Sequence, residues 1–216
     1  MRGGRLPALL GAALVAGAAS AQTAPPPARG VGGGPPPAEA ASRALSCEGL
    51  FGPDATHARL VEAFGPQNVV FEEQPGPEGE TYMATVLFPK RAADRLVVTW
   101  KDEKRRAKPE ALTARSGSRW ALSSGLKPGS TLAEVEAANG KPFTLSGFDW
   151  DYGGFVTDWR GGALAKAMGP CVVGVRFEPG PGAKKDAASG DAKFQSNGAP
   201  MRAARPVVSE ITLTRK

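Results

Sequence analysis

The sequence predicts an α+β protein in which an antiparallel sheet carries short helices on one face. Two segments have the pattern of a short capped helix, and each is followed by runs rich in β-branched and aromatic residues, which are typical of strands. The order of one helix and three strands occurs twice along the chain. We therefore expect two tandem units, each a helix plus a three-stranded antiparallel meander, at residues 45–108 and 109–216.

The two predicted helices share the same start and stop signals. Each begins after a side chain that can accept a hydrogen bond from the first turn, and each ends at a glycine with a proline close behind. The candidate caps are Asp54 or Thr56 for the first helix and Ser130 or Thr131 for the second. The stops are Gly65-Pro66 after the first helix and Gly140 with Pro142 after the second.

Strand-like runs fill most of the remaining chain. They lie at 68–73, 81–88 and 95–100 after the first helix, at 143–151, 155–160 and 171–177 after the second, and at 111–122 between the units. Residues 207–214 alternate apolar and polar side chains, which predicts a half-buried closing strand. Residues 180–200 are rich in Gly, Lys, Asp and Ser, so we expect a mobile loop there.

An internal repeat supports the two-unit organisation. A shift of 75 residues places, without gaps, Thr56 on Thr131, Gly65 on Gly140 and Val97 on Val172. Matches at both the helix stop and the last strand are not expected from shared composition alone. The repeat therefore favours a duplicated folding unit.

The N-terminal segment is typical of an exported protein. Residues 1–21 combine two arginines, an apolar stretch from Leu6 to Ala18 and the cleavage pattern Ala19-Ser20-Ala21, as in a secretory signal peptide. The apolar stretch is too short to span a membrane, and no cysteine at the cleavage point can carry a lipid anchor. Residues 22–44 are almost wholly Pro, Ala and Gly, which predicts a disordered linker. We expect a periplasmic or secreted protein.

Net charge and cysteine content narrow the function classes. The formal net charge of +6 falls to +4 without Arg2 and Arg5 of the signal, and no nucleic-acid-binding motif accompanies this mild surplus. We therefore expect no nucleic acid partner. The two cysteines, Cys47 and Cys171, are expected to pair in an oxidising compartment, with two unpaired buried thiols as the alternative.

The densest aromatic segment, residues 147–160, contains the candidate binding residues. Gly153-Gly154 predicts a two-residue hairpin turn, which would place the aromatic side chains of the segment on one face. One interpretation is that this face belongs to the core. The alternative is an exposed binding platform built on Trp150, Tyr152 and Trp159, because aromatic side chains anchor protein interfaces and also stack on sugars.

The opposite face of this hairpin is charged and carries Asp149, Asp151, Asp158 and Arg160. In the predicted register Asp149 lies across from Asp158, and such a like-charge pair is unfavourable without a nearby cation. Arg160 can supply that charge. A bound Ca²⁺ is the alternative, although the segment lacks the downstream glutamate of a calcium loop. We predict no metal site and no cofactor.

The sequence contains no recognisable catalytic motif. The only histidine, His57, lies in the first predicted helix, and neither a G-x-S-x-G segment nor an activated cysteine accompanies it. Histidine and cysteine are also too few and too far apart for a zinc site. We therefore expect the protein not to be an enzyme.

The second predicted helix and its flanks resemble a known family. Gly129 before the helix, Glu134 and Val135 inside it, and Gly140 with Pro142 after it resemble the helix that opens the repeat unit of the SmpA/BamE-like and β-lactamase-inhibitor-protein-like families. The first unit matches this outline less well. The resemblance implies a non-enzymatic envelope protein that binds another protein. Our functional prediction is such a protein-binding module, and the alternative is a small-ligand or glycan-binding protein that uses the aromatic hairpin face.

Overall fold

The computed structural model describes residues 43–150, 152–166, 168–183 and 185–216. The predicted signal peptide at 1–21 and all but the end of the predicted linker at 22–44 lie outside the described residues, as does Asp151. The helices and strands run in the order α1 (His57–Phe64), β1 (Val69–Pro75), β2 (Thr81–Leu87), β3 (Leu96–Asp102), β4 (Ala107–Arg115), α2 (Leu132–Asn139), β5 (Thr144–Ser146), β6 (Val156–Asp158), β7 (Cys171–Glu178), β8 (Lys193–Gln195), α3 (Ala199–Ala204) and β9 (Val207–Arg215). The predicted α+β class is confirmed.

The strands form two antiparallel sheets. The larger sheet has six strands in the order β1-β2-β3-β4-β9-β7, and the smaller has three in the order β6-β5-β8. The first half of the chain therefore forms the expected meander. The second half does not, because β5 and β6 leave the main sheet and only β7 and β9 join it.

Three sequence expectations about loops and strands have different outcomes. The closing strand predicted at 207–214 is confirmed by β9, whereas the strand predicted at 111–122 lies earlier, at β4. Residues 180–200, expected to be a mobile loop, contain β8, which pairs with β5. The polar composition of this segment did not indicate that Phe194 packs against the core.

Both long helices begin at the threonine of the two candidate caps. The Thr56 hydroxyl accepts a hydrogen bond from the Arg59 amide at 3.2 Å. Thr131 does the same for Glu134 at 3.2 Å, and the Glu134 carboxylate accepts the Thr131 amide at 2.6 Å, which completes a capping box. The hydrogen bonds that Thr131 donates to the Glu134 carboxylate lower the pKa of Glu134. The negative charge of Glu134 is also favourable at the N-terminus of α2.

The six-stranded sheet has one covered face and one open face. On β9, Val208, Ile211 and Leu213 are at most 1% exposed and belong to the core. This covered face packs against α1, α2, α3, the small sheet and the N-terminal segment 43–52. The alternate residues of β9, among them Glu210 and Thr212, lie on the open face.

A disulfide fastens the N-terminal segment to the covered face. Cys47 and Cys171 are bonded, with their Cα atoms 6.3 Å apart, so the predicted pairing is confirmed. The Arg215 guanidinium donates hydrogen bonds to the carbonyls of Cys47 and Phe51, both at 2.9 Å. The disulfide joins residues 124 positions apart at the start of β7.

A buried carboxylate holds the beginning of the same segment. Asp94 accepts hydrogen bonds from Arg43 at 3.1 Å and from Arg119 at 2.6 Å. Burial alone would raise the pKa of Asp94, but the two guanidinium groups outweigh it and lower the pKa, so this side chain stays charged. Within the part of the chain that the structure describes, no helix has the length and apolar character needed to cross a membrane.

Candidate binding cleft

Residues 147–150 and 152–155, which we call the aromatic loop, lie between β5 and β6, and residues 153–155 run along the outer edge of β7. The Phe177 amide donates to the Gly154 carbonyl at 2.9 Å, and the Arg176 guanidinium donates to the Gly153 carbonyl at 2.9 Å. Phe155 also forms a bridge with Arg176. The loop therefore protects the edge of the main sheet and leads the chain toward the open face.

The backbone of the aromatic loop is held by hydrogen bonds to several neighbours. The Gly147 and Phe148 amides donate to the carbonyls of Ala192 and Ala188, both at 2.8 Å, and the Ser146 hydroxyl donates to the Tyr152 carbonyl at 2.7 Å. A Cβ at Gly147 would collide with backbone carbonyl oxygens of the segment that ends at Gly190. Such close backbone packing makes the loop a rigid support.

The hairpin register predicted from Gly153-Gly154 is wrong. Thr144 pairs with Asp158 and Leu145 with Val156, and β5 ends at Ser146. The physical reason is that the glycines pack against β7: a Cβ at Gly154 would collide with the Phe177 carbonyl. Asp149 therefore does not face Asp158.

The predicted aromatic face is divided between core and surface. Phe148 is 2% exposed, and Trp159 packs against Phe143 with ring centroids 5.2 Å apart. Trp150 and Tyr152, by contrast, are 37% and 49% exposed. Phe148 and Trp159 therefore belong to the core, as the first interpretation has it, whereas Trp150 and Tyr152 are exposed and their role in binding stays a prediction.

Trp150 and Tyr152 form one fixed aromatic pair. Their ring centroids lie 5.7 Å apart with an interplanar angle of 64°, an edge-to-face arrangement. The Trp150 indole N–H donates to the Gly147 carbonyl at 3.0 Å, which fixes the ring to the loop backbone. The two exposed rings are thus held in place in the unliganded protein.

The aromatic pair forms one rim of a cleft of about 1050 Å³ above the open face. The β1–β2 turn, with Pro75 and Pro77, forms another part of the rim. The Tyr152 hydroxyl lies 3.5 Å from the Glu78 carboxylate of this turn. The floor consists of open-face residues of β4, β9 and β7, which are Thr113, Arg115, Ser209, Glu210, Thr212, Thr214, Gly174, Arg176 and Glu178.

The floor carries fixed charges of both signs. The Arg115 Nε donates to Glu210 at 2.9 Å, and Thr212 donates to the same carboxylate at 3.3 Å. Burial alone would lower the pKa of Arg115, but its hydrogen bond to Glu210 and the attraction between their charges raise it. Arg115 therefore stays charged, and the cleft can offer donors and acceptors to a ligand.

The predicted polar residues of the hairpin are separated in the structure. Asp149 lines the cleft and accepts a hydrogen bond from Ser189 at 2.7 Å. Arg160 is exposed, and its amide donates to Asp158 at 2.6 Å outside the cleft. Among the described residues, no three His, Cys, Asp or Glu side chains come together as metal ligands do. The calcium alternative includes Asp151, which lies outside the described residues, and it stays untested.

His57 has structural contacts away from the cleft. Its Nδ1 lies 2.9 Å from the Thr85 hydroxyl, which also accepts the Trp100 indole N–H at 2.8 Å. Burial and, to a lesser degree, the charge of Arg106 lower the pKa of His57. This histidine is therefore held in its neutral form between α1 and β2.

Comparison of the chain with protein-family models, with curated proteins and with solved structures finds no match. The resemblance of the α2 region to the SmpA/BamE-like and β-lactamase-inhibitor-protein-like families stays a prediction. The cleft is therefore interpreted from its own geometry.

Proposed function

We propose that the protein is a non-enzymatic binding protein of the cell envelope, which holds a segment of a partner protein in the cleft above the open face. The observation that carries this proposal is the exposed Trp150–Tyr152 pair on a rigid loop at the rim. Tryptophan and tyrosine contribute most to protein interfaces because they bury a large area at a low cost in conformational entropy.

The distribution of exposed apolar side chains supports the same site. The large exposed hydrophobic residues of the described chain are Leu50, Val70, Trp150 and Tyr152. The two aromatic ones lie side by side at the cleft, whereas single exposed aliphatic residues are ordinary on a protein surface. The hydrogen bond from Trp150 to the Gly147 carbonyl already fixes the Trp150 ring, so binding costs this side chain little further conformational entropy.

The floor is suited to a polypeptide. Backbone amides and carbonyls of a ligand need both acceptors and donors, and Glu210, Arg115 and the threonine hydroxyls supply them. A partner side chain can pack against the exposed surfaces of the two rings of the rim. The cleft would then combine an apolar anchor with polar contacts, as protein interfaces do.

An oligosaccharide is the second candidate ligand. The hydroxyl- and charge-lined floor beside two exposed aromatic rings favours it, since sugars combine ring stacking with many hydrogen bonds. The interplanar angle of 64° argues for the polypeptide, because the two rings do not form one flat platform for stacked sugar rings.

The proposed location and ancestry rest on other features. A buried disulfide and the signal-like residues 1–21 support a periplasmic or secreted protein. Four elements of the first half, α1, β1, β2 and β3, begin 75 residues before α2, β5, β6 and β7, respectively. This spacing supports a duplicated ancestry, in which the second copy has been rebuilt around the aromatic loop.

The test presents two probes to the full chain: a displayed library of random short peptides and an array of oligosaccharides. We expect enrichment of peptides, and a loss of affinity of about 30-fold in Trp150→Ala, because an anchor of this kind contributes about 2 kcal/mol. Leu50→Ala is the matched control, since Leu50 is 41% exposed and does not line the cleft.

Binding of oligosaccharides that depends on Trp150, with no peptide enriched, would replace the first ligand class by the second. If neither probe binds, or if Leu50→Ala weakens binding as much as Trp150→Ala does, the cleft is not the binding site.

A further inference from the structure

Gly174 lies in the interior of β7, on the floor of the cleft. Glycine weakens a strand, because it loses much conformational freedom on folding and contributes no side chain to cross-strand packing. The fold itself gives no reason for it at this position. Gly174 has no left-handed backbone conformation, and a Cβ there would lie 3.8 Å from Thr212, an ordinary van der Waals distance.

The glycines of the aromatic loop provide the contrast. At Gly147 and Gly154 a Cβ would collide with backbone carbonyl oxygens, so the packing of the loop requires glycine there. Gly174 is on the adjoining strand, and the space above it is open to the cleft. The packing of the chain therefore does not explain why position 174 lacks a side chain.

A row of short side chains leads across the strands to Gly174. Val97 pairs with Thr113, Thr113 with Thr212, and Thr212 with Gly174. The Thr113 and Thr212 hydroxyls lie 3.2 Å apart, so they bond to each other along this row. Four strands at a spacing of about 4.8 Å make the row roughly 14 Å long.

Longer side chains stand beside this row. The neighbouring row, on β4, β9 and β7, consists of Arg115, Glu210 and Arg176. Glu210 pairs with Arg115 on one side and with Arg176 on the other. The aromatic pair stands at the β7 end, where Gly174 lies. The loop that carries the pair contacts β7 at Arg176 and Phe177, two to three residues along the strand from Gly174. The lowest point of the floor therefore lies in the cleft that the Trp150 and Tyr152 rings border.

We propose that Gly174 is a specificity-determining residue of the cleft, which lets an extended polypeptide segment cross the strands and touch the sheet backbone in the cleft that the aromatic pair borders. This inference rests on the proposed function and names the form of the ligand. Close approach of another backbone is a known reason for glycine in a strand interior. A polypeptide segment does not fit if no part of it is slender enough to lie against the backbone at Gly174.

The test adds side-chain volume at Gly174 and measures binding and folding separately. A peptide selected from the displayed library on the wild-type chain is labelled, and its affinity is measured with Gly174→Ala and Gly174→Val. We expect a graded loss that reaches about tenfold or more for Gly174→Val, because the added methyl groups fill the site of closest approach. The unfolding midpoint in urea should equal or exceed that of the wild type, since valine favours strands.

Val172→Leu is the matched control, because Val172 lies on the same strand and the same face and does not line the cleft. It should bind the peptide as the wild type does.

Three outcomes would overturn the inference. If Gly174→Val binds the peptide normally and Trp150→Ala does not, Gly174 does not determine specificity, and the proposed function stands. A Gly174→Ala variant with a lower unfolding midpoint shows that the glycine serves the fold. If no peptide binds the wild type, the proposed function itself fails.

Discussion

The two faces of the six-stranded sheet are built from the same strands and serve different ends. On β9, Leu213 is 1% exposed in the core, while its neighbour Thr212 lies on the floor of the cleft. The covered face is closed by helices, a second sheet and a disulfide-bonded segment. Because successive side chains of a strand point to opposite faces of the sheet, each strand contributes alternate residues to stability on one face and to the proposed binding on the other.

The open face itself is not uniform. Near β2 and β3 it carries Ala84, Val86 and Val97, which are buried and pack with Tyr82. Near β4, β9 and β7 it carries threonines, a glycine and the Arg115–Glu210 salt bridge. The apolar part of this face is already covered by the protein's own side chains. The part left open is polar, as expected of a surface that exists without its ligand.

Removing the disulfide should have the largest effect and should act through the covered face. The double variant Cys47→Ala, Cys171→Ala opens a loop of 124 residues, and chain entropy predicts a decrease of about 4–5 kcal/mol in the free energy of unfolding. Urea titration measures it, with Ser116→Ala on the open face as the control. A change below about 1 kcal/mol would mean that the N-terminal segment 43–52 stays packed on the covered face without the bridge.

Neighbouring residues on β9 test the comparison most directly. Leu213→Ala should lower the free energy of unfolding by about 3 kcal/mol, since it removes buried methyl groups and leaves a cavity. Thr212→Ala should lower it by only about 1 kcal/mol, because it removes the hydroxyl that bonds to Thr113 and Glu210 but no core contact. Peptide affinity should respond in the opposite order. Equal destabilisation by the two variants would contradict the division of the faces.

The local features of this architecture could be predicted from sequence. Both helix caps, both glycine stops and the closing strand depend on residues close together in the chain, and the structure has them where the pattern indicates. The hairpin register could not be predicted, because β5 ends early and takes β8, far along the chain, as its second partner. The local Gly153-Gly154 signal was outweighed by packing against β7.

The candidate site was predictable only in part for the same reason. Trp150 and Tyr152 were identified by their density in one segment, and they lie at the rim. The charged floor was missed, because Arg115 and Glu210 are 95 residues apart and meet only through the pairing of β4 with β9. The alternation of apolar and polar side chains along β9 indicates a half-buried strand. It does not indicate which residues the polar side chains contact.

The smallest expected effect concerns pH and the covered side of the sheet. Burial and the Arg106 charge lower the pKa of His57, so the folded state favours the neutral ring. The stability that this provides is present above the unfolded pKa of 6.5 and is lost as the pH falls through the lower pKa of the folded state. Protonation also removes the acceptor at Nδ1, while the Thr85 hydroxyl already accepts the Trp100 N–H.

We therefore expect the wild type to lose up to about 1 kcal/mol more than His57→Asn between pH 7.5 and pH 5, the size of one hydrogen bond. Urea unfolding at both pH values measures the difference, and carboxylates common to both proteins cancel. Asparagine cannot take up a proton in this range, so its stability should fall less steeply. Parallel pH profiles would show that folding does not lower the pKa of His57. A steeper profile for the wild type, with peptide affinity unchanged for His57→Asn at pH 7.5, would place this titration on the covered face and separate it from the cleft.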